Sequence, residues 1–448
     1  QRAYWMGQSL GLPLSCGTHY LVELDGDNVD IQRLEDAWNT LVDRHEMMRA
    51  IVNENGEQVI LKKVQRTRFN HSHISEHKLL FPNKNDAGMA QAYLHHCWHL
   101  KSELHKNKIE HQSSIGWSPF EIHVVKYEMS RSRIGIIFDY LTLDGFSIKL
   151  LLEELSQLYK KPNFVFASID LSFRDYVNQV QINEAELESA KQYWTDKLET
   201  LPLAPELPLA KDPACVEHVV FHRREARLSA DKWSVLKRRA KDHGITSSVL
   251  LLVAYSQVIR RWSTNSDFTL NLTLFDRRDV HADINKVLGD FTSLAPVAFS
   301  LSNGSSVLEQ AQNTQNEIAS AIENRSVSSI WIQRERSKNM SLTAAALPVV
   351  YTSTLGLGGG LFETSDDDFP ELVAGGLSET PQVWLDHQLY EYKGELALSW
   401  DSADVLFPAG MLDEMFKSYV QLLDSLVTLD WTAPLELSLP QHQQQVRR

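Results

Sequence analysis

The chain has 448 residues, of which 43% are hydrophobic and 11 are tryptophan, a composition typical of a globular enzyme with two lobes. Its net charge of −14 argues against a nucleic-acid partner, because phosphate binding requires clustered Lys and Arg. No apolar run approaches the roughly 18 residues that cross a bilayer, and three scattered cysteines fit a reducing cytoplasm. We therefore expect a cytoplasmic protein with no membrane partner.

Three elements are predicted in the first hundred residues. Residues 18–24 form a strand, and residues 29–43 form a helix because their apolar residues recur on one helical face. A second helix at 87–104 carries His95 and His99 one turn apart. A zinc site requires further ligands at definite spacing. None follows in the sequence, and we expect no metal.

A strand, a tight turn and a helix follow one another in the middle of the chain. The β-branched run at 134–138 predicts a buried strand, and helical spacing of apolar residues predicts a helix at 148–159. The turn holds Asp139 and Asp144, and Ser147 is the predicted N-cap of the helix. Because the two carboxylates lie on one turn, we expect them to converge on a single pocket.

The second half alternates helices and strands. Helices are predicted at 184–198 and 244–262, and apolar strands at 268–275 and 348–355. Between the helices, LPLAPELPL at 201–209 cannot continue a helix because of its prolines. It predicts an extended connection at the start of a second lobe.

The central turn, DYLTLDG at 139–145, resembles the active-site motif of the condensation-domain superfamily of nonribosomal peptide synthetases. That motif ordinarily reads HHxxxDG. Both histidines are replaced here, and the resulting DxxxxD is similar to the heterocyclization subfamily, which makes thiazoline and oxazoline rings. Further segments resemble family signatures in the family order: RHEMMR at 44–49, LPLAPELPL at 201–209, GDFTSL at 289–294, PVVYTSTL at 348–355 and TPQVWLDHQ at 380–388.

The resemblance implies an α/β (α+β) fold in which two chloramphenicol-acetyltransferase-like lobes form a V-shaped pseudo-dimer around a central tunnel. Residues 1–170 would form the N-terminal lobe with the DxxxxD motif and residues 171–435 the C-terminal lobe. Residues 436–448 would be a linker towards an adenylation domain of the same synthetase. Substrates would arrive on the 4′-phosphopantetheine arms of donor and acceptor carrier proteins, peptidyl or aryl, and no cofactor would be bound intrinsically.

The chemistry implied by the resemblance has two steps with different requirements. Amide formation from a thioester depends mainly on holding the reactants in line, which makes the loss of histidine tolerable. Cyclodehydration needs a group that moves protons. Asp386 is the first candidate, because partial burial after an apolar strand at 383–385 would raise its pKa. Thr352 would orient Asp386 or bind the intermediate. In the subfamily this Thr and Asp pair is associated with cyclodehydration.

The other candidate residues surround the motif. The resemblance pairs Asp144 with Arg277 across the lobe interface, and Asp139 would shape the tunnel or orient Tyr140. Gln382 would support the site. Structural alternatives stay open: Asp144 as part of an ion pair only, Asp386 as a turn cap, and Thr352 as a packed strand residue.

Three functions remain open: an active heterocyclization domain, a condensation-only acyltransferase, and a non-catalytic docking module for carrier proteins. Asp276 and Glu379 stand where relatives usually have Asn and Gln, which leaves open whether both half-reactions occur. Siderophore-type biosynthesis with an aryl acid donor is an expectation from the resemblance. The sequence does not say whether Cys, Ser or Thr is cyclized.

Overall fold

The computed structural model describes the chain in eight stretches. These are residues 1–7, 14–53, 55–110, 118–180, 183–216, 219–300, 305–356 and 369–434. The predicted linker at 436–448 lies outside the described residues. No helix in these stretches combines the length and the apolar composition that a membrane span requires.

The helices and strands alternate along the described chain. The helices are α1 (Arg2–Gly7), α2 (Ile31–Arg44), α3 (Asp86–Glu110), α4 (Gly145–Lys160), α5 (Phe173–Gln179), α6 (Glu184–Leu198), α7 (Ala230–Asp242), α8 (Ser247–Trp262), α9 (Val307–Glu323), α10 (Ser329–Arg336), α11 (Leu342–Ala345) and α12 (Met411–Leu426). The strands are β1 (His19–Asp27), β2 (Ala50–Val52), β3 (Gln58–Ile60), β4 (Asn70–His73), β5 (Phe120–Tyr127), β6 (Arg131–Asp139), β7 (His222–Leu228), β8 (Asp267–Phe275), β9 (Thr292–Ser300), β10 (Val349–Ser353), β11 (Glu371–Ser378), β12 (Leu385–Tyr392) and β13 (Glu395–Ser402).

The first sheet has the strand order β11-β1-β6-β5-β4. Tyr20, Val22 and Leu24 alternate along β1 and belong to an apolar core shared with α2 and α4, in which Trp38 is fully buried. Successive side chains of a strand point to opposite faces. The other face of β1 therefore carries Glu23, whose carboxylate lies 2.8 Å from His95 Nε2 of α3. One face of this sheet is apolar, and the other, which α3 covers, carries polar side chains together with apolar ones such as Leu21 and Ile137.

One strand of the first sheet comes from the second half of the chain. β11 pairs antiparallel with β1, and Ser378 lies opposite Tyr20. The predicted range 171–435 for the C-terminal lobe thus contains a strand of the first sheet. The second half of the chain thus contributes one strand to the first sheet, which a division at one sequence position does not represent.

The second sheet has the order β7-β13-β12-β10-β8-β9. Its central strand β10 pairs in parallel with β8 and β12, whereas the outer pairs are antiparallel. One face buries an apolar core with α8 and α12, which includes Leu251, Leu385 and Tyr419. The opposite face of the central strands carries polar residues.

The helix that follows the central turn begins earlier than the sequence predicts. The predicted N-cap, Ser147, is wrong. Asp144 is the N-cap, and its Oδ1 accepts a hydrogen bond from Ser147 N at 2.7 Å. The Ser147 hydroxyl instead donates to the carbonyl of Gly289 at 2.8 Å. The Ser147 hydroxyl therefore joins the two halves of the chain. The Asp144 carboxylate accepts from an N–H group at the helix start that has no partner within the helix.

Candidate active site

A cavity of about 210 Å³ is lined by residues of both sheets. From the first sheet, Tyr20 of β1 and Tyr140, which directly follows β6, line the cavity. Thr352 and Asp386 line it from the second sheet. The remaining walls combine apolar side chains with uncharged polar ones of Ser, Thr, Asn and Gln. A concave, mostly apolar site with a few convergent polar groups is the usual form of a small-molecule site.

Asp386 lies within a strand. Its predicted position after a strand at 383–385 is wrong, because β12 begins at Leu385 and pairs with β10 and β13 from that residue onward. Leu385 and His387 therefore face the apolar core, while Asp386 and Gln388 face the cavity. Asp386 is 8% exposed.

Two side chains hydrogen-bond to the carboxylate of Asp386. The Thr352 hydroxyl donates to Oδ1 at 3.2 Å, and Gln388 Nε2 donates to Oδ2 at 2.7 Å. The hydroxyl of Thr273 lies 2.9 Å from that of Thr352 and can donate to it. The parallel register explains this arrangement, since Thr352 lies opposite Gln388 on one side and opposite Thr273 on the other.

Burial raises the pKa of Asp386 to about 7, and the negative charge of Asp401 on the neighbouring strand adds to this rise. The hydrogen bonds from Gln388 and Thr352 oppose it. Asp401 is itself held by a two-point contact with Arg223, at 2.7 and 2.5 Å. A carboxyl group with a pKa near 7 can both accept and donate a proton at neutral pH.

Asp139 points away from the cavity. It is fully buried, accepts hydrogen bonds from Thr18 Oγ1 and Leu141 N at 2.8 Å each, and lies 3.7 Å from His19 Nε2. Burial raises its pKa to about 6. The prediction that Asp139 and Asp144 open onto one pocket is wrong, because neither is among the described residues that line this cavity. Asp139 faces the side of the first sheet that α3 covers, and Asp144 caps α4.

Asp139 supports Tyr140 indirectly. Thr18 donates its hydroxyl hydrogen to Asp139, and the carbonyl of Thr18 accepts from Tyr140 N at 2.8 Å. The Tyr140 ring lines the cavity and stacks on Tyr4 at 6.0 Å between centroids. Gln382 also lines the cavity. Of the two residues at the histidine positions of the motif, Tyr140 lines the cavity and Asp139 does not.

The predicted ion pair between Asp144 and Arg277 is present. Arg277 Nη2 lies 3.2 Å from Asp144 Oδ1, and both side chains are buried. The guanidinium also donates to Ser147 Oγ at 2.8 Å and lies 3.8 Å from the ring centroid of Phe291. Burial raises the pKa of Asp144, and the attraction of Arg277 opposes this rise. The pair joins the central turn to the second half of the chain.

The cavity residues not predicted from the sequence include Thr273, Gln388 and Asn271. Thr273 and Gln388 complete the hydrogen-bond chain through Asp386, and Asn271 lies two residues before Thr273 on the same strand face. Asn271 is 3% exposed, and its Oδ1 has no hydrogen-bond partner among the described residues. Two patterns in the sequence could have identified these residues. Asn271 and Thr273 alternate with leucines in NLTLF, and Gln388 follows Asp386 by two residues, so the members of each pair lie on one strand face.

Asp276 and Glu379, which differ from the residues usual in the family, are not among the described residues that line the cavity. Asp276 pairs with Arg278 at 3.2 Å and with Arg325 at 2.9 Å. Glu379 is buried and accepts from Gly17 N at 2.9 Å and from a serine hydroxyl of α3. Within the described part of the chain, no group of three or more His, Cys, Asp or Glu side chains is arranged to hold a metal ion.

The model of the condensation domain family matches residues 1–442. The chain belongs to the condensation-domain family. This condensation-type domain is 30% identical to bacitracin synthase 1 of Bacillus licheniformis over 98% of its own length and 8% of that protein. It is 32% identical to pyochelin synthetase PchE of Pseudomonas aeruginosa over 99% of its length and 30% of that protein. The domain thus spans less than a third of these relatives.

Solved structures confirm the expected fold. The cyclization-docking bidomain of the nonribosomal peptide synthetase EpoB from Sorangium cellulosum has a TM-score of 0.81 and 29% identity, covering 96% of this domain and 83% of that chain. The two-lobed α/β architecture predicted from the sequence is confirmed, as is the resemblance to heterocyclization domains of the condensation superfamily.

Proposed function

We propose that this domain condenses a carrier-bound acyl donor with carrier-bound Cys, Ser or Thr and then cyclodehydrates the amide to a thiazoline or oxazoline. The observation that carries the proposal is Asp386, a buried carboxyl group that faces the cavity with a pKa near 7 and is held by Thr352 and Gln388. The similarity to a cyclization bidomain supports the same conclusion.

The condensation step would rely on positioning. The two motif positions that hold histidine in ordinary condensation domains are Asp139, which faces away from the cavity, and Tyr140, whose pKa is raised by burial. Neither is suited to act as a base at neutral pH inside the cavity. A thioester and an amine held in line can react at effective molarities on the order of 10⁵ M, so a base is not essential for this step.

The cyclodehydration step would use the Asp386 carboxylate to move a proton. The side-chain thiol or hydroxyl of the acceptor bonds to the amide carbon, and its proton passes through Asp386 to the former carbonyl oxygen. The bond from carbon to that oxygen then breaks, the oxygen leaves as water with the amide N–H proton, and a C=N bond forms in the ring that the first addition closed. Thr352 keeps the carboxylate oriented during both transfers, and Thr273 orients Thr352.

The partners follow from the same proposal. The acyl donor and the acceptor amino acid would each be delivered on a 4′-phosphopantetheine arm of a carrier protein, peptidyl or aryl, and an adenylation domain of the same synthetase would load the acceptor. Siderophore-type biosynthesis in the cytoplasm is the setting we propose. No cofactor of the domain itself enters the steps above.

Mass spectrometry of the loaded acceptor carrier protein tests the proposal. After incubation with the domain and a loaded donor carrier, we expect the mass of the acylated acceptor minus one water. An amide without the loss of water would instead indicate a condensation-only acyltransferase. A docking module would leave both carriers unchanged.

The rate of ring closure should depend on the ionisation of Asp386. Because the carboxylate form accepts the proton of the nucleophile, we expect ring closure to rise with pH and level off above about 7, the pKa of this group. Amide formation in the same samples should lack this inflection. Single-turnover measurements from pH 5.5 to pH 8.5 would check this, and an inflection that persists in Asp386→Asn would assign it to another group.

A further inference from the structure

Asp386, Asp401 and Arg223 form a row across three adjacent strands of the second sheet. The register places Asp401 of β13 opposite Asp386 of β12, and Arg223 of β7 opposite Asp401. Residues that lie opposite each other in an antiparallel pair project from the same face, with their Cβ atoms about 4.5–5.5 Å apart. Asp401 is thus the direct cross-strand neighbour of Asp386, and Arg223 lies one strand further away.

The surroundings of Asp401 hold its carboxylate in one position. Asp401 is fully buried, and Arg223 donates to Oδ1 and Oδ2 at 2.7 and 2.5 Å. The backbone N–H of Ser378, the last residue of β11, also donates to Oδ2 at 2.9 Å. Because β11 belongs to the first sheet, this bond fixes the carboxylate where the two sheets meet. Contacts of this kind with a guanidinium and an N–H group favour the ionised form of a carboxyl group.

Asp401 and Arg223 are not among the described residues that line the cavity. Any effect of this pair on a bound substrate would therefore pass through Asp386. The negative charge of Asp401 raises the pKa of Asp386, and the positive charge of Arg223 opposes this rise more weakly. A buried ion pair can often be replaced by apolar residues without loss of stability, so folding alone does not account for a pair at this position.

The other titratable side chains around this row are mostly tyrosines. Those that interact with Asp386 or with Arg223 include Tyr4, Tyr20, Tyr140, Tyr255 and Tyr390. Burial raises the pKa of Tyr4, Tyr140 and Tyr255 well above its ordinary value, so these three stay uncharged where Asp386 ionises. Glu225 of β7 is exposed and acts on Asp401. Asp401 and Arg223 thus supply the charges of this row that act on Asp386.

We propose that Asp401, held by Arg223, is a positioning residue that strengthens Asp386 as a proton acceptor. The inference rests on the proposed function, because it explains how the carboxylate that moves the proton becomes sufficiently basic. A fixed negative charge beside Asp386 favours its protonated form. Of two neighbouring carboxyl groups, the one without a cationic partner takes up a proton first. Arg223 therefore directs the proton of the attacking thiol or hydroxyl to Asp386 and not to Asp401.

The pH dependence of ring closure tests this role. Asp401→Asn removes the neighbouring negative charge and leaves Arg223 unopposed. We expect the inflection in the single-turnover rate, at about pH 7 in the wild type, to move down by about one pH unit or more. Glu225→Gln makes the same change from acid to amide at an exposed position of β7 and should leave the inflection in place. A purely structural role would lower the rate without moving the inflection.

A second variant covers the case in which Asp401→Asn does not fold because Arg223 loses its counter-ion. Combining Arg223→Met with Asp401→Asn removes both charges, a replacement that buried pairs often tolerate. Because Asp401 acts on Asp386 more strongly than Arg223 does, the inflection should again lie below the wild-type position, by a smaller amount. An inflection that stays at the wild-type position or rises in these variants would overturn the proposal.

A stability measurement tests the same coupling without turnover. Urea denaturation of the wild type, Asp386→Asn, Asp401→Asn and the variant with both substitutions forms a double-mutant cycle. At pH 8 we expect Asp386→Asn to stabilise the protein more when Asp401 is present, because only then do two carboxylates repel each other. The difference should shrink towards pH 5, where Asp386 is protonated in the wild type.

The two possible failures are distinguishable. Equal effects of Asp386→Asn in the two backgrounds at pH 8 would overturn the role of Asp401. Failure of ring formation in the carrier assay would overturn the proposed function and leave the stability result intact. Where Asp401→Asn does not fold, the variant that also carries Arg223→Met provides the second background.

Discussion

Asp386→Asn is expected to stop ring formation while the amide still forms. The substitution keeps the size of the side chain, replaces one of its two acceptor oxygens with an NH2 donor and removes its ability to accept a proton. General acid–base catalysis by one group typically contributes ~10² to 10⁴-fold, so we expect ring closure to slow by that factor. Mass spectrometry of the acceptor carrier should show the acylated species without the loss of water.

The stability of Asp386→Asn separates a catalytic loss from misfolding. The pKa of Asp386 in the folded protein, about 7, exceeds its ordinary value of 3.8. A carboxyl group with a raised folded pKa weakens folding as pH rises from about 4 to about 7, because the unfolded chain releases the proton first. Asp386→Asn removes this effect. We therefore expect the variant to be at least as stable as the wild type at pH 8, with the difference shrinking towards pH 4.

Asp276→Asn is a matched control for the same chemical change. Asp276 pairs with Arg278 and Arg325 and is not among the described residues that line the cavity. We expect this variant to form the ring at the wild-type rate. Unchanged ring formation in Asp386→Asn would exclude Asp386 from the mechanism, and another polar residue of the cavity would then have to transfer the proton.

Arg277→Ala is expected to lower the free energy of unfolding by roughly 3 to 5 kcal/mol, the usual effect of removing one partner of a buried ion pair. The substitution leaves Asp144 buried without its counter-charge. It also removes donors to the carbonyls of Ile284 and Val287, at 3.1 and 2.7 Å. Urea denaturation followed by tryptophan fluorescence measures the change.

The effect of Arg277→Ala should depend on pH in a defined direction. Burial already raises the pKa of Asp144 above its ordinary value, and loss of Arg277 raises it further. Because a protonated Asp144 carries no charge, the destabilisation should be smaller at pH 5 than at pH 8. Lys393→Ala breaks an exposed pair with Glu371 and should change stability little at either pH. Equal behaviour of the two variants would contradict a structural role for the buried pair.

Local patterns predicted several elements accurately. Helix α6 has the predicted bounds, and the helix predicted at 244–262 begins at Ser247 after a Thr246 cap. These segments have clear helical periodicity and good capping residues, which are local properties. The Ser147 cap was predicted incorrectly for the opposite reason, since the competing cap, Asp144, is selected by its contacts with Arg277 and Phe291 from a distant part of the chain.

The sequence identified several site residues, but it did not show which side of the sheet each side chain faces. The resemblance named Asp386, Thr352 and Tyr140, all of which line the cavity. It also named Asp139, which faces the side of the first sheet that α3 covers and does not line the cavity. Whether a strand residue faces one side or the other depends on where pairing begins, and a shift of one residue reverses every side chain.

The sequence by itself determined the family, the mixed α/β class and the replacement of two imidazoles by Asp139 and Tyr140. Only the tertiary structure decided that β11 completes the first sheet and that Thr352 and Gln388 bind the Asp386 carboxylate, with Thr273 in contact with Thr352. The physical reason is that burial and strand register arise from contacts between residues far apart in the chain. The pKa of a carboxyl group follows from those contacts and not from its neighbours in sequence.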